Sequence, residues 1–154
     1  MKMITNNKDK HYLAVSLSGS SDQDVLGQMA DAMFQEGYVT DGFHDAVIKR
    51  EETFPTGLPT GTINVAIPHT DPEYVKKAAV CLGVLEEPIE FHVMGMEGEK
   101  TNVSLLFMLA IKRKEEQLGL LQKVVEICQN QKMLAIIQKG DKDIIENIMK
   151  ELIH

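Results

Sequence analysis

The sequence contains only two cysteines, Cys81 and Cys128, among its 154 residues. They stand in no CxxC or zinc-ligand spacing, and both lie in apolar stretches of the chain. We therefore expect two buried free thiols rather than a disulfide or a metal site. A chain without structural disulfides is typical of a reducing compartment, so we expect a cytoplasmic protein.

Basic residues are also few, and long hydrophobic runs are missing. Lysine and arginine number 16 against 23 acidic residues, which gives a net charge of −7. This charge argues against a nucleic-acid partner, because proteins that bind nucleic acids carry basic patches. No segment approaches the roughly 18 apolar residues of a membrane span, so we expect no direct membrane insertion. An acidic surface still suits docking on a basic partner protein.

Common enzyme motifs are missing as well. The sequence has no GxSxG, GxxxxGK[ST] or HExxH motif, and no GxGxxG motif follows a strand. What remains is a chain with 44% hydrophobic residues, whose length suits one domain with a substantial core. Histidine chemistry is the remaining candidate for a reaction.

Hydrophobic periodicity predicts helices at both ends of the chain and strands in the middle. The first predicted helix runs from a cap at Ser21 to Gly37, and the second runs from a cap at Thr40 or Asp41 to Glu51. The other predicted helices are 115–128, 132–139 and one capped by Asp141. The predicted strands are 12–17, 63–67, 78–85, 89–94 and 103–111, the last of them central. Uniformly apolar strands are usually covered on both faces. The fold class predicted is α/β: a single three-layer domain over residues 11–154, a mixed β-sheet flanked by helices on both faces, with residues 1–10 as a flexible N-terminus.

The stretch that contains His69 stands out from the rest of the chain. A short apolar run, 63–67, ends abruptly at Pro68 and His69. Proline has no N–H and a fixed φ, so ladder pairing stops there. His69 is therefore predicted just past the end of a core strand, where open α/β sheets bind ligands.

Three interpretations of His69 follow from this position. It is a polar residue that terminates a strand, a nucleophile, or a metal ligand. Neutral imidazole is a good nucleophile near neutral pH, and one on a loop can be reached by a second protein. His69 and Asp71 supply only two ligands, so we expect no metal and no cofactor.

The segments around this strand supply further candidates. The loop 54–61 is rich in proline, glycine and threonine and can turn outward-facing N–H groups toward an anion. Arg50 lies at the end of the second helix. It is either a solvent-exposed charge that interacts with the helix dipole or a guanidinium that binds phosphate oxygens. Thr56 and Gly57 either shape a turn or bind an anion. Gln117, in the first turn of its helix, is either an exposed polar residue or a hydrogen-bond donor to an anion.

Several short motifs give the chain a family resemblance. They are Glu36-Gly37-Tyr38-Val39, Lys49-Arg50-Glu51-Glu52, Phe54-Pro55-Thr56-Gly57-Leu58 and Asn64-Val65-Ala66-Ile67-Pro68-His69. From about Asp24 onward, the chain resembles the IIA phosphocarrier domains of the bacterial phosphoenolpyruvate-dependent sugar phosphotransferase system, in the fructose/mannitol superfamily. The galactitol-type branch is the nearest in pattern.

The resemblance implies a phosphotransferase role and its partners. His69 would accept a phosphoryl group on Nε2 from the phosphocarrier HPr. It would then pass the group to a cysteine of a IIB component, which phosphorylates sugar entering through a IIC permease. Mannitol-type members often have a second histidine where this chain has Gln117, and a Gly or Ala where it has Thr70. Gln117 can donate a hydrogen bond but cannot titrate. The Thr70 departure favours the galactitol branch, so the expected transported compound is galactitol or a related sugar.

Phosphoryl transfer asks a protein mainly for positioning and charge stabilisation. We expect Arg50, Thr56, Gly57 and Gln117 to stabilise the phosphoryl group. A carbonyl or a hydroxyl is expected to hold Nδ1–H so that Nε2 presents its lone pair, with Thr70 and Asp71 as the candidate residues.

The remaining expectations concern the surface and the role. Leu58, Ile63 or Phe54 would supply an apolar rim for docking. Two alternatives stay open: a regulatory IIA-like module whose phosphorylation state controls binding to a partner, and a small-molecule-binding domain.

Overall fold

A computed structural model describes residues 1–153, apart from the side chains of Lys114 and Gln117. It contains an open six-stranded sheet of order β1-β2-β5-β6-β4-β3. The strands are β1 (Lys2–Asn7), β2 (Tyr12–Leu17), β3 (Gly57–Leu58), β4 (Asn64–Ala66), β5 (Ala79–His92) and β6 (Lys100–Ala110). The helices are α1 (Asp22–Gln35), α2 (Phe43–Thr53), α3 (Lys114–Cys128), α4 (Gln131–Gln138) and α5 (Lys142–Leu152), with a short 3₁₀ turn at Pro72–Tyr74.

The sheet is mixed, as predicted. β2 runs parallel to β5, and β4 runs parallel to β6. The β1–β2, β5–β6 and β3–β4 pairs are antiparallel. β6 lies inside the sheet between β5 and β4, which confirms its predicted central place.

Two apolar clusters cover the two faces of this sheet. One cluster packs Leu26 of α1 and Val47 of α2 against Leu106 and alternate residues of β6. The other packs Val124 of α3, with residues of α4 and α5, against Leu105 and the intervening residues of β6. Successive strand side chains point to opposite faces, so a strand buried on both faces must be apolar throughout. The predicted three-layer arrangement is confirmed.

The helix caps follow the sequence signals closely, with one exception. Ser21 Oγ accepts a hydrogen bond from Asp24 N at 3.2 Å, and Asp141 Oδ1 accepts one from Ile144 N at 3.1 Å. α2 instead begins after Gly42 with no side-chain cap. The predicted cap at Thr40 or Asp41 is wrong, because the backbone carbonyl of Thr40 accepts from Phe43 N in a turn.

The expectation that residues 1–10 are a flexible N-terminus is also wrong. Lys2–Asn7 form an edge strand paired with β2, and the Thr5 hydroxyl donates to a Glu146 carboxylate oxygen of α5 at 2.6 Å. Backbone pairing, which the polar composition of this segment does not reveal, holds it in place.

Other elements differ in extent from their predictions. The predicted strands 78–85 and 89–94 form one long strand, β5, with an irregularity between Val84 and Ile89. The predicted loop 54–61 contains the short strand β3. Among the described helices, none combines the length and the apolar character that a membrane crossing requires.

Cys81 and Cys128 are both free and buried, as predicted. Burial raises the pKa of each thiol, because the thiolate loses its hydration there. Neither cysteine is therefore a reactive nucleophile.

β3 is fixed between β4 and the hairpin that joins β5 to β6. Gly57 pairs with Ala66 of β4, and its carbonyl accepts from Met94 N at 2.8 Å. A Cβ added at Gly57 would lie 2.5 Å from the carbonyl oxygen of His92. Only a residue without a side chain allows this close approach.

Glu51 is an acidic residue on the core-facing side of α2, with 5% of its surface exposed. Its two carboxylate oxygens accept from the N–H and the hydroxyl of Thr56, each at 2.7 Å. Burial raises the pKa of Glu51 from the ordinary 4.5 to about 7, while the two hydrogen bonds from Thr56 oppose this change and nearby Asp22 adds a small increase. The desolvation of a buried charge therefore outweighs its hydrogen bonds.

Replacing Gly57 with alanine is expected to destabilise the fold by about 1–3 kcal/mol, because the new methyl group would press on the His92 carbonyl. Urea denaturation measures this loss. Gly119→Ala is the matched control, since a Cβ at Gly119 meets nothing within 4 Å and alanine favours the helix by about 1 kcal/mol. Equal stability of Gly57→Ala and the parent would contradict the close approach.

Glu51 should make stability depend on pH. The folded chain keeps a proton on Glu51 up to a pH of about 7, whereas the unfolded chain releases it near 4.5. Stability should therefore fall as the pH rises between these values. At about 1.4 kcal/mol per pH unit, the loss amounts to about 3 kcal/mol.

Glu51→Gln cannot titrate and should not lose this stability. Urea denaturation of the parent and of Glu51→Gln at pH 4.5, 6 and 8 gives the comparison. Glu52→Gln changes an exposed carboxylate next to Glu51 in the chain and should behave as the parent does. The same pH slope in the parent and in Glu51→Gln would show that Glu51 does not titrate as described.

Candidate functional site

His69 lies just beyond the carboxyl end of β4, at the edge of the sheet where β6 also ends. Leu109 N of β6 donates to the carbonyl of Pro68 at 3.0 Å, and His69 forms an isolated parallel bridge with Leu109. The neighbouring strand therefore holds the chain through Pro68 although proline itself donates no hydrogen bond. The predicted position of His69, past the end of a core strand, is confirmed.

The imidazole ring of His69 is half-buried and has a defined orientation. Its Nδ1 lies 2.9 Å from the carbonyl oxygen of Ile67. A carbonyl can only accept, so Nδ1 carries the hydrogen and donates it. In the neutral ring the lone pair is then on Nε2, which is the nitrogen left to act as a nucleophile.

Thr70 and Asp71 do not make this contact, so the prediction that either of them orients the ring is wrong. The ring instead donates to the backbone carbonyl two residues earlier. Asp71 instead lies near Arg50, with its Oδ1 3.8 Å from the Arg50 Nη1. Both side chains are partly exposed, so this ion pair contributes little.

Arg50 lies in the last turn of α2, as predicted, and its guanidinium is close to the His69 loop. The guanidinium carbon is 4.5 Å from the centre of the Phe54 ring. Nε is buried and, within residues 1–153, has no hydrogen-bond partner. Arg50 lines a cleft of about 260 Å³ together with Lys49, Phe54, Thr70 and Asp71. A cation with free donors thus faces the residues that directly follow His69.

Thr56 and Gly57 run alongside the strand that leads to His69. The carbonyl of Thr56 accepts from Ile67 N at 3.3 Å, and Gly57 pairs with Ala66. The N–H and hydroxyl of Thr56 are both donated to Glu51. This arrangement contradicts the expected role of Thr56 as a phosphoryl donor, since neither of its donors is free. Gly57 lies in the β3 ladder rather than in an open, anion-binding loop.

Large apolar side chains are exposed beside the site. Phe54 is 57% exposed, and it lines a cleft of about 610 Å³ with Met94 and Met96 of the β5–β6 hairpin. Ile63 is buried, so its predicted place in an apolar rim is wrong, and Leu58 is half-buried. An exposed aromatic residue next to a methionine pair is typical of a surface that contacts other proteins.

Sequence reasoning missed two groups of this site, the Ile67 carbonyl and Glu51. A backbone carbonyl carries no sequence signal. Glu51 does carry one, because it follows Phe43 and Val47 at intervals of four along the buried face of α2. An acid at a core position of an amphipathic helix must find donors. The side chain of Gln117 lies outside the part of the structure that is described.

The arrangement can support nucleophilic chemistry at Nε2 with a guanidinium nearby to neutralise an anion. Within the described part of the chain, no three His, Cys, Asp or Glu side chains are grouped in a way that would bind a metal ion.

The relatives of this chain among curated proteins include a regulator and a transport component. The chain is 33% identical over 130 residues to the transcriptional regulator ManR of Bacillus subtilis. This alignment covers 84% of the chain and 18% of ManR. The chain is 30% identical over 99 residues to the galactitol-specific EIIA component of the phosphotransferase system from Escherichia coli K12. This alignment covers 64% of the chain and 65% of that protein. The chain thus spans only part of the length of each relative.

Solved structures share the fold. A putative phosphotransferase-system IIA domain from Streptococcus pyogenes matches with a TM-score of 0.70 at 18% identity, over 94% of this chain and 97% of its own. The mannitol enzyme IIA of Escherichia coli, in its complex with phosphorylated mannitol enzyme IIB, matches with a TM-score of 0.58 at 16% identity, over 85% of this chain and 95% of its own.

The family model for the EIIA 2 domain of the phosphoenolpyruvate-dependent sugar phosphotransferase system matches residues 7–152. That span includes β2 to β6, all five helices, His69 and Arg50. The matched span, together with the shared fold, identifies the chain as a member of the EIIA 2 family of this phosphotransferase system.

Proposed function

We propose that this protein is a phosphohistidine carrier in which His69 accepts a phosphoryl group from phospho-HPr and passes it to a cysteine of a IIB component. The observation that carries the proposal is the hydrogen bond from His69 Nδ1 to the Ile67 carbonyl, because it leaves the Nε2 lone pair available. Support for a IIB partner comes from the mannitol enzyme IIA, whose structure is a complex with a phosphorylated IIB.

In the first step the lone pair of Nε2 attacks phosphorus, and the bond between phosphorus and the donor breaks. The ring gains positive charge, which the Ile67 carbonyl stabilises through Nδ1–H. No proton has to leave the ring, so the step can reverse. In the second step the IIB thiolate attacks phosphorus, and Nε2 departs with its electron pair.

Arg50 is the group best placed to hold the phosphoryl oxygens. Its fork suits phosphate geometry, and its only ionic contact within residues 1–153 is the weak one to Asp71. A phosphoryl group on His69 would compete with Asp71 for this guanidinium. The competition keeps the phosphoryl group from being held too tightly for onward transfer. Gln117 remains a proposed second donor, from the first turn of α3.

The proposed setting is sugar uptake in the cytoplasm together with a IIC permease, with galactitol or a related sugar as the transported compound. The match to the galactitol-specific EIIA component supports this sugar class. Phe54, Met94 and Met96 would contact HPr and IIB in turn, since both partners must reach the same ring. The buried free thiols are consistent with a reducing compartment.

A second candidate is a regulatory role, in which the phosphorylation state of His69 changes binding to a regulator. The 33% identity with part of ManR favours this candidate. Neighbouring genes for a IIB and a IIC would support the carrier. Binding of a partner protein to only one phosphorylation state, with no onward transfer to a IIB, would support regulation.

His69→Ala should abolish uptake of the phosphoryl group while the fold is retained, because it removes the Nε2 lone pair that the proposal assigns as the nucleophile. Incubation with enzyme I, HPr and labelled phosphoenolpyruvate, followed by mapping of acid-labile phosphate, measures this uptake. His44→Ala removes a partly exposed histidine that lines neither cleft and serves as the control. Full labelling of His69→Ala would refute the carrier site. A parent protein that takes up no label would favour the small-molecule-binding alternative.

Arg50→Ala should slow transfer about tenfold or more, since about 1.4 kcal/mol of transition-state stabilisation would be lost. Arg50→Lys keeps the charge but loses the planar guanidinium, and its transfer rate should lie between the rates of the parent and of Arg50→Ala. Rapid-quench measurement of phosphoryl uptake gives these rates. A rate for Arg50→Ala equal to that of the parent would remove Arg50 from the mechanism.

A further inference from the structure

A continuous series of hydrogen bonds connects the buried carboxylate of Glu51 to the ring of His69. Glu51 Oε2 accepts from Thr56 N at 2.7 Å, and the carbonyl of the same threonine accepts from Ile67 N at 3.3 Å. The carbonyl of Ile67 in turn accepts from His69 Nδ1 at 2.9 Å. Each residue in the series therefore constrains the next one.

The series begins at a firm anchor. Glu51 and Thr56 are both almost fully buried, and Glu51 also accepts from the Thr56 hydroxyl at 2.7 Å. Two short bonds from one carboxylate fix both the backbone and the side chain of Thr56. The segment that follows is tied on its other side by the bond from Met94 N to the Gly57 carbonyl. Thr56 consequently has little freedom to move relative to α2.

The series ends at the carbonyl that sets the tautomer of His69. Ile67 has only Pro68 between it and His69, and the two hydrogen bonds that Ile67 makes run to Thr56 and to the histidine ring. A shift of Thr56 would move Ile67 N, and with it the carbonyl that receives Nδ1–H. The ring could then rotate or change tautomer, and Nε2 would lose its fixed direction.

We propose that Glu51 is a positioning residue for phosphoryl transfer, which acts through Thr56 and Ile67 to hold the Nδ1–H tautomer and the orientation of His69. The effect of Glu51 on the rate of phosphoryl transfer rests on the proposed carrier function, whereas its effect on the tautomer of His69 does not. Glu51 is buried and its hydrogen bonds go to Thr56 rather than to the ring, so it belongs to the positioning groups rather than to the catalytic ones. The role depends on hydrogen-bond geometry and not on the charge of Glu51.

Two substitutions separate geometry from charge. Glu51→Gln removes the charge but keeps both contacts, since the amide oxygen can accept from Thr56 N and the amide nitrogen can donate to Thr56 Oγ1. Glu51→Asp keeps the charge but is one methylene shorter, so its carboxylate cannot reach both donors. Glu52→Asp makes the same change at the adjacent, exposed position and is the matched control.

The first readout is the tautomer of His69 in the unphosphorylated chain. The ¹⁵N shifts of the labelled imidazole rings distinguish Nδ1–H from Nε2–H, and His69→Gln assigns the His69 signals among the five histidines. We expect the Nδ1–H signature in the parent, Glu51→Gln and Glu52→Asp. Glu51→Asp should show a mixture of tautomers.

The second readout is the rate of phosphoryl uptake per folded molecule, with the folded fraction taken from amide spectra. Glu51→Asp should lower the maximal rate about tenfold, which corresponds to about 1.4 kcal/mol, and leave the KM for phospho-HPr unchanged. Glu51→Gln should retain the parental rate. A merely structural role would change stability but neither the tautomer nor the rate per folded molecule.

Two outcomes would overturn the proposal. One is a parental tautomer and rate in Glu51→Asp, and the other is loss of both in Glu51→Gln, which would assign the effect to charge. The tautomer measurement needs no phosphoryl donor. Failure of the parent to take up a phosphoryl group would therefore defeat the proposed function, while the ¹⁵N shifts would still decide the role of Glu51.

Discussion

The ring of His69 donates from Nδ1 to the carbonyl of Ile67, two residues earlier in the chain. This one contact decides which nitrogen of the imidazole carries a lone pair and where that lone pair points. Beyond Ile67 the chain continues beside β6, where the carbonyl of Pro68 accepts from Leu109 N and His69 forms a parallel bridge with Leu109. The parallel pairing of β4 and β6 thus holds His69 at the carboxyl edge of the sheet, and the Ile67 carbonyl fixes the tautomer of its ring.

Helix α2 serves the site from two faces. Arg50 and Glu51 are consecutive, and a helix turns by about 100° per residue, so the two side chains leave it in different directions. Arg50 reaches the cleft beside Thr70 and Asp71, whereas Glu51 is buried and holds Thr56. One helix therefore supplies a cation for the proposed phosphoryl group and an anchor for the strand that precedes His69. Burial of Glu51 also makes the stability of the fold depend on pH, since desolvation raises the pKa of its carboxyl to about 7.

A carrier must bind its phosphoryl group firmly enough to receive it and weakly enough to release it. The contacts near His69 suit that balance: a neutral carbonyl on Nδ1 and a guanidinium that already faces a carboxylate at 3.8 Å. The exposed Phe54, Met94 and Met96 add apolar area without a deep pocket. Such a surface can contact one protein after another, which agrees with both the carrier and the regulatory proposal.

Local signals in the sequence determined the helices, their caps at Ser21 and Asp141, the apolar central strands and the place of His69 past Pro68, because each depends on residues close together in the chain. The edge strand β1 and the strand β3 escaped prediction, although each pairs with the next strand along the chain, because β1 is polar, β3 has only two residues, and backbone pairing leaves no apolar pattern. The partners of His69 and Thr56 are also near in sequence, two and five residues away. They escaped prediction because a backbone carbonyl has no side-chain signal and Glu51 becomes buried only when α2 packs on the sheet. The sequence by itself thus determined which residue is the candidate nucleophile, and the tertiary structure decided which groups hold its ring.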